Sequence, residues 1–230
     1  MTANVGDISN RGIELTINAI PVQNEDWQWS TTLNLSHNSN RVKKLSNAAY
    51  SVSYQDLGYP WIAGNTGVAV QRLIEGCPIG QFYTYEFAGH DADGVSQFWV
   101  HDPVTGQRTG EKTIKPQDTD RTKTGSAQPK LTLGWNNTVS YKNWDLTLFF
   151  QGVFGNKIFN ALRAQYNSVT LITQGKNVFR EALTKQNYGD VNSQSPSDRY
   201  IENGSFLRLS SMSLSYDFGR LHGWVNNLSV

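Results

Sequence analysis

The chain has 230 residues, and its 20 Lys and Arg stand against 19 Asp and Glu, a formal net charge of +1, so it lacks the basic field that a nucleic-acid partner requires. Charged residues make up only 17%, against roughly 25% in an ordinary soluble domain, while 12% aromatic content gives more apolar surface than a disordered chain carries. No apolar run reaches the roughly 18 residues of a membrane-spanning helix, and a single cysteine, Cys77, excludes an intrachain disulfide and a Cys-based zinc cluster.

Residues 13–19 alternate without exception: Ile13, Leu15, Ile17 and Ala19 against Glu14, Thr16 and Asn18. A period of two predicts a strand over 12–20 with one apolar and one polar face. Pro21, Asn24, Glu25 and Asp26 form a short turn. A second strand over 27–38 follows, with Trp27, Trp29, Leu33 and Leu35 opposite Gln28, Ser30, Thr32, Asn34 and Ser36. After a long segment, 37–80, a strand is expected over 81–88 on Tyr83, Tyr85 and Phe87, with a partner at 97–101 across Asp91-Ala92-Asp93-Gly94.

The clearest hairpin joins 130–141 to 144–154 through Lys142-Asn143, with Tyr141 and Trp144 flanking the turn on the apolar face. Its pattern has flaws: Asn137 falls on the apolar face, and Phe149 and Val153 on the polar one. In the long segment 155–204, Ile158, Leu162, Tyr166 and Val169, and then Val178, Phe179, Ala182 and Leu183, recur at helical spacing. Met212, Leu214, Tyr216 and Phe218 alternate with serines and Asp217 in a strand over 206–218, and 227–230 reads as the start of another.

The polar faces carry Asn, Ser, Thr, Gln and Gly in place of the Lys and Glu that normally guard water-facing strands. Neutral polar residues suit an aqueous lumen, and apolar faces suit lipid. Trp27, Trp29, Tyr141, Trp144, Tyr216 and Phe218 gather at short-turn ends, where a membrane interface holds amphipathic rings. Short turns alternate with long segments as in outer-membrane barrels. The expected fold is an antiparallel up-and-down transmembrane β-barrel segment of about seven strands, its long loops holding short helices. Bacterial barrels have even strand numbers and are exported, so the chain is expected to be part of a longer protein and to aggregate if expressed alone.

Four stretches also resemble a known family. Asn4-Val5-Gly6-Asp7-Ile8-Ser9-Asn10-Arg11-Gly12-Ile13-Glu14-Leu15 is similar to its N-x-G-x-x-x-N-x-G-x-E-L pattern, and Glu75-Gly76-Cys77-Pro78-Ile79-Gly80-Gln81-Phe82-Tyr83 to E-G-x-P-I-G-x-F-Y. Gly125 to Lys130 with Tyr141-Lys142-Asn143-Trp144-Asp145-Leu146 resembles the G-x-x-x-P-K … Y-K-N-[FW]-D-L hairpin, and Gly204-Ser205-Phe206-Leu207-Arg208-Leu209 resembles G-S-F-L-R-L. The family is the SusC/RagA-like TonB-linked outer-membrane transporters of Bacteroidetes, in their carboxy-terminal barrel region. The resemblance implies active import of oligosaccharides or peptides across the outer membrane of a Gram-negative bacterium, energy through TonB, and a SusD-like surface lipoprotein as partner. It also implies that residues 1–230 belong to a barrel domain whose plug and final strands lie elsewhere.

Enzymatic signatures are missing from the sequence. Asp91-Ala92-Asp93-Gly94 lacks the further ligands of a calcium loop, the four histidines have no metal-ligand spacing, and no nucleophile elbow or phosphate loop occurs. No metal or cofactor is expected. Tyr54, Tyr59, Trp61 and Trp99 are the candidate contacts with substrate or partner, as aromatic planes in long segments. A passive porin-type barrel and a soluble carbohydrate-binding β-sandwich are the competing readings, the latter separable by partitioning into the soluble fraction.

Overall fold

The computed structural model describes residues 6–46, 51–184, 188–219 and 229–230. Its strands in chain order are β1 (Asp7–Gln23), β2 (Trp27–Lys44), β3 (Tyr54–Leu57), β4 (Gln71–Ile74), β5 (Gln81–Tyr85), β6 (Phe87–His90), β7 (Ser96–His101), β8 (Arg108–Thr113), β9 (Arg121–Ser126), β10 (Leu131–Tyr141), β11 (Trp144–Phe154), β12 (Lys157–Phe159), β13 (Ile201–Asn203) and β14 (Phe206–Tyr216). The chain forms two compact units.

The sheet unit draws on Asn10–Ser39, Pro129–Asn156 and Gly204–Val230. Its five strands lie in the order β1-β2-β10-β11-β14. Asn24 sets the first turn: its Oδ1 accepts the N–H groups of Asp26 at 3.1 Å and Trp27 at 2.8 Å, the bond pattern that makes Asn a turn residue. The β10–β11 turn requires Lys142 at φ 52°, a left-handed conformation. Lys142 N–H then reaches Asp26 O at 2.9 Å, and Asn143 Nδ2 donates to Asp217 O at 2.7 Å. Neighbouring hairpins are thereby tied at their short-turn ends. Beyond β14, Asp217 bridges antiparallel to Ser229. Residues 229 and 230 thus pair as the expected strand start, whereas 227 and 228 lie outside the described residues.

Three features reconcile the sheet with its imperfect pattern. Asn137 is buried on the apolar face, where its Oδ1 accepts the Trp29 indole N–H at 3.2 Å. Phe149, on the polar face, covers Gly134, whose absent Cβ would stand 3.7 Å from the ring. In β14 a register shift leaves Leu209 opposite Phe150 and Ser211 opposite Phe149. This β-bulge at Ser210 inverts the alternation, so that Leu207 and Leu209 share the apolar face with Met212 and Leu214.

The expectation of about seven barrel strands is corrected. Residues 81–88 and 97–101 do form strands, but neither joins the five-stranded sheet: β5 lies in a four-stranded sheet, β3-β4-β5-β9, and β7 in a three-stranded one, β6-β7-β8. β2 pairs directly with β10, Trp27 opposite Tyr141 and Leu35 opposite Leu133. Everything between these two strands is one excursion. Loop closure entropy rises only slowly with length, so the long detour costs little more than a short one.

The loop unit comprises the described residues of Met1–Ser9, Asn40–Gln128 and Lys157–Asn203. Ile62, Ala164 and Tyr200 form a small buried core with Phe159 against it. Helix α1 spans Ala161–Tyr166, capped by Asn160 Oδ1 on the Arg163 N–H at 2.8 Å. The helices expected from spacing are corrected in two respects. Ile158 lies in β12, paired with Glu202 of β13, and Leu162 is exposed while Ala164 is buried. The second helix is a single 3-10 turn, Arg180–Leu183.

Candidate functional site

A row of rings crosses the sheet at its short-turn end. Trp27 is opposite Tyr141, Tyr141 opposite Trp144, and Trp144 opposite Tyr216. Ring centroids are 4.3 Å apart for Trp27–Tyr141, 4.7 Å for Trp144–Tyr216 and 4.7 Å for Tyr216–Phe218. Trp27, Tyr141, Trp144 and Phe218 are exposed, so the row is a surface band and not a core. Trp29, one step further along, is half-buried with its indole N–H satisfied by Asn137. Beyond the band the same face continues through Leu146, Leu148 and Phe150 of β11 and Leu214, Met212 and Leu209 of β14.

The opposite face is a field of hydroxyls and amides. Thr16 donates to Asn34 Oδ1 and Thr32 to Asn18 Oδ1, each at 2.8 Å, and Thr138 and Thr147 hydroxyls meet at 3.5 Å. The two faces therefore differ in kind, as a sheet between lipid and an aqueous lumen requires.

In the loop unit the four expected contact residues are dispersed. Tyr54 sits in β3 with one ring face covered by the Arg72 guanidinium at 3.7 Å. Tyr59 and Trp61 follow on an exposed loop, Trp61 at 83% exposure. Trp99, half-buried in β7, lies under Arg108 at 4.5 Å and Lys112 at 4.8 Å. No ring contact joins any two of the four among the described residues. The Asp91–Gly94 stretch is a turn in which Asp91 Oδ1 accepts the N–H groups of Asp93 at 3.0 Å and Val95 at 2.8 Å. Among the described residues no group of acidic, His or Cys side chains is arranged to hold a metal, and no helix is long and apolar enough to cross a membrane.

The residues that organise this unit are arginines, which sequence reading passed over because an isolated Arg has no local pattern. Arg72 is sandwiched between Tyr54 and Tyr83 and grips Asp56 with two bonds, 2.7 and 3.1 Å. Burial works against its charge, but the bonds and charges of Asp56 and Asp118 outweigh burial and hold its pKa above the ordinary guanidinium value. Arg121, 4% exposed, donates to Tyr83 O at 2.7 Å, to Ala69 O and to Asp118 at 2.9 Å. Glu181 binds both Arg163, at 2.9 Å, and Arg199, at 2.8 Å. Partial burial opposes the Glu181 charge, yet these two cations keep its carboxyl below the usual range. Burial pushes the Asp198 carboxyl and the Tyr200 hydroxyl upward. These groups brace the loops against one another.

No protein-family model matches the chain. It is 29% identical over 93% of its length to TonB-dependent receptor P3 of Formosa agariphila and 30% identical over 93% to TonB-dependent receptor P26 of the same organism. It is 28% identical over 96% to TonB-dependent receptor SusC of Bacteroides thetaiotaomicron. The chain spans 22% of the length of each of these relatives, and their names are those of receptors, not enzymes. Among solved structures it is similar to the RagAB peptide importer in the open-open state, with a TM-score of 0.72 and 24% identity over 99% of this chain and 26% of that one. Similarity to the closed-closed state has a TM-score of 0.70 at 23% identity, over 99% of this chain and 26% of that one. The fold is accordingly an antiparallel β-barrel segment with long loops.

Proposed function

We propose, for a chain that is a SusC/RagA-like TonB-dependent receptor barrel segment, that it forms part of an active importer in the outer membrane of a Gram-negative bacterium. Residues 1–230 supply wall strands and long loops of the barrel, and a plug and further strands come from the rest of the protein. Leu146, Leu148, Met212 and Leu214 face lipid. The row from Trp27 to Phe218 lies at the interface beside the short turns. The substrate is an oligosaccharide or a peptide, a SusD-like lipoprotein covers the loops, and TonB drives import. Tyr59 and Trp61 are the most available contact residues, because their rings are exposed; Tyr54 has one face already taken by Arg72.

One observation carries this reading: a single sheet has hydroxyls and amides on one face and, on the other, an exposed aromatic band that gives way to aliphatic side chains. Nothing in a water-soluble sandwich calls for that band. The test is uptake of labelled oligosaccharides and peptides by cells carrying the full-length reading frame, with and without TonB. Import is expected to require TonB. Equal uptake in its absence would identify a passive pore, and recovery of the full-length product in the soluble fraction would remove both membrane readings.

A further inference from the structure

Along the polar face, where the carboxylates Glu14 and Asp145 stand among hydroxyls and amides, β14 brings in a cation. Arg208 of β14 stands opposite Gln151 of β11, and its Nη2 donates to Gln151 Oε1 at 3.1 Å. It is exposed and makes no ion pair among the described residues. The bulge at Ser210 puts it there. Counting back from Tyr216, Leu214 and Met212 in strict alternation would place position 208 on the apolar face. The register shift between Ser211 and Leu209 turns it to the polar one. A guanidinium on a lipid face is costly, and the inversion brings it instead to water.

Its surroundings are shaped for a particular chemistry. Gln151 Oε1 also accepts the Ser210 hydroxyl at 3.4 Å. Arginine has no acceptor, so the amide oxygen must face Arg208 and the amide NH2 must turn away from it. The guanidinium keeps further N–H groups beyond the one given to Gln151. Gln151 thus holds the guanidinium from one side, and the N–H groups left free form the fork that a planar carboxylate accepts with two oxygens. Apolar groups flank them on the same face: Phe149 along β11, and Phe206 opposite Val153, with the Arg208 guanidinium 5.2 Å from the Phe206 ring centroid.

We propose that Arg208 and Gln151 form a carboxylate-binding site on the barrel's polar face, taking solutes that join an acid group to an apolar or ring-shaped body. This rests on the reading of that face as the lumen. The shared chemistry has two sources, the carboxy terminus of a peptide or the acid group of a uronate.

The test is calorimetric titration of the full-length, detergent-purified receptor with paired probes: Gly-Gly-Phe against its carboxy-terminal amide, and galacturonate against galactose. The wild type is expected to prefer the acid of at least one pair. R208A should weaken that acid about ten- to a hundredfold, the range of a charged hydrogen bond, and leave the neutral partner unchanged. R208K should recover part of the loss, keeping the charge without the fork, and Q151L should show a smaller, acid-specific loss. A response confined to the peptide pair assigns a carboxy terminus, and one confined to the sugar pair a uronate. A wild type blind to the acid, or an R208A that weakens acid and neutral probes alike, overturns the proposal. So does an R208A that only lowers the melting temperature of the unliganded receptor, restored by R208K, since the guanidinium would then pair with a carboxylate of its own protein. Should R208A not fold, R208K and Q151L still decide the matter. TonB-dependent uptake that persists in R208A without acid preference separates this site from the transport reading.

Discussion

The sheet unit and the loop unit solve the burial problem in opposite ways. Every hydrophobic side chain buried among the described residues, from Val42 to Tyr200, belongs to the loop unit. In the sheet unit Leu207, Met212 and Leu214 stand more than half exposed, and one of the few buried side chains there is the polar Asn137. The loop unit carries its own interior, cross-braced by Arg72, Arg121, Arg163 and Arg199. Among the described residues the sheet buries no hydrophobic side chain of its own, and on the proposed reading lipid covers its apolar face. The comparison teaches that stability in this chain has two solvents, and that perturbations should separate by unit.

The sharpest separation is expected at Arg121. R121A takes from the carbonyls of Ala69 and Tyr83 their buried guanidinium donor, a change that costs about 1–3 kcal/mol for each group left unsatisfied. Hydrogen exchange in the full-length receptor should show lost protection in peptides covering 69–85 and unchanged protection in 131–154. Equal loosening of both regions would mean that the units do not respond separately.

Next comes the lipid face. L148R is expected to cost about 2–4 kcal/mol on folding into vesicles, whereas T147R, one residue away on the other face, should cost far less. Denaturant titrations in lipid would measure both, and similar penalties would defeat the two-face assignment.

A smaller effect is expected in the aromatic band. A double-mutant cycle on Trp27 and Tyr141, whose rings lie 4.3 Å apart, should give a coupling of about 0.5–1.5 kcal/mol. Zero coupling in lipid would reduce the band to independent interfacial anchors.

The smallest effect is that of pH, and it should fall on the loop unit alone. Glu181 and Asp118 are held below their ordinary values of 4.5 and 3.8: partial burial opposes their charges but is outweighed by Arg163 and Arg199 for the first and by Arg121 and Arg72 for the second. Depressed carboxyls contribute stability that is present above the unfolded value and lost as pH falls through the folded one. Burial raises Asp198, so its protonation works the other way. The urea midpoint of the loop unit should therefore fall on acidification below about pH 4.5, with the sheet unit unmoved. A midpoint that rose instead would assign the response to Asp198.

The strands of the main sheet, the turn at 142–143, the two unlike faces and the aromatic band were all legible in the residues, because a period of two is a local property of any half-buried strand; the first turn, expected over 21–26, is narrowed to 24–26 because β1 runs on through Pro21 to Gln23. Family motifs in the same segments pointed to the same architecture. What the residues could not specify was partnership. Tyr83 and Phe87 alternate as convincingly as Leu133 and Trp135, and nothing local tells a strand of the wall from a strand of a loop sheet. That choice belongs to side chains distant in sequence: Leu35 against Leu133, Thr84 against Thr124, Arg121 against Ala69 and Tyr83. The turn of Arg208 to the polar face was hidden for the same reason. A bulge changes the count on one strand against its neighbour, and that count exists only once β14 has paired with β11.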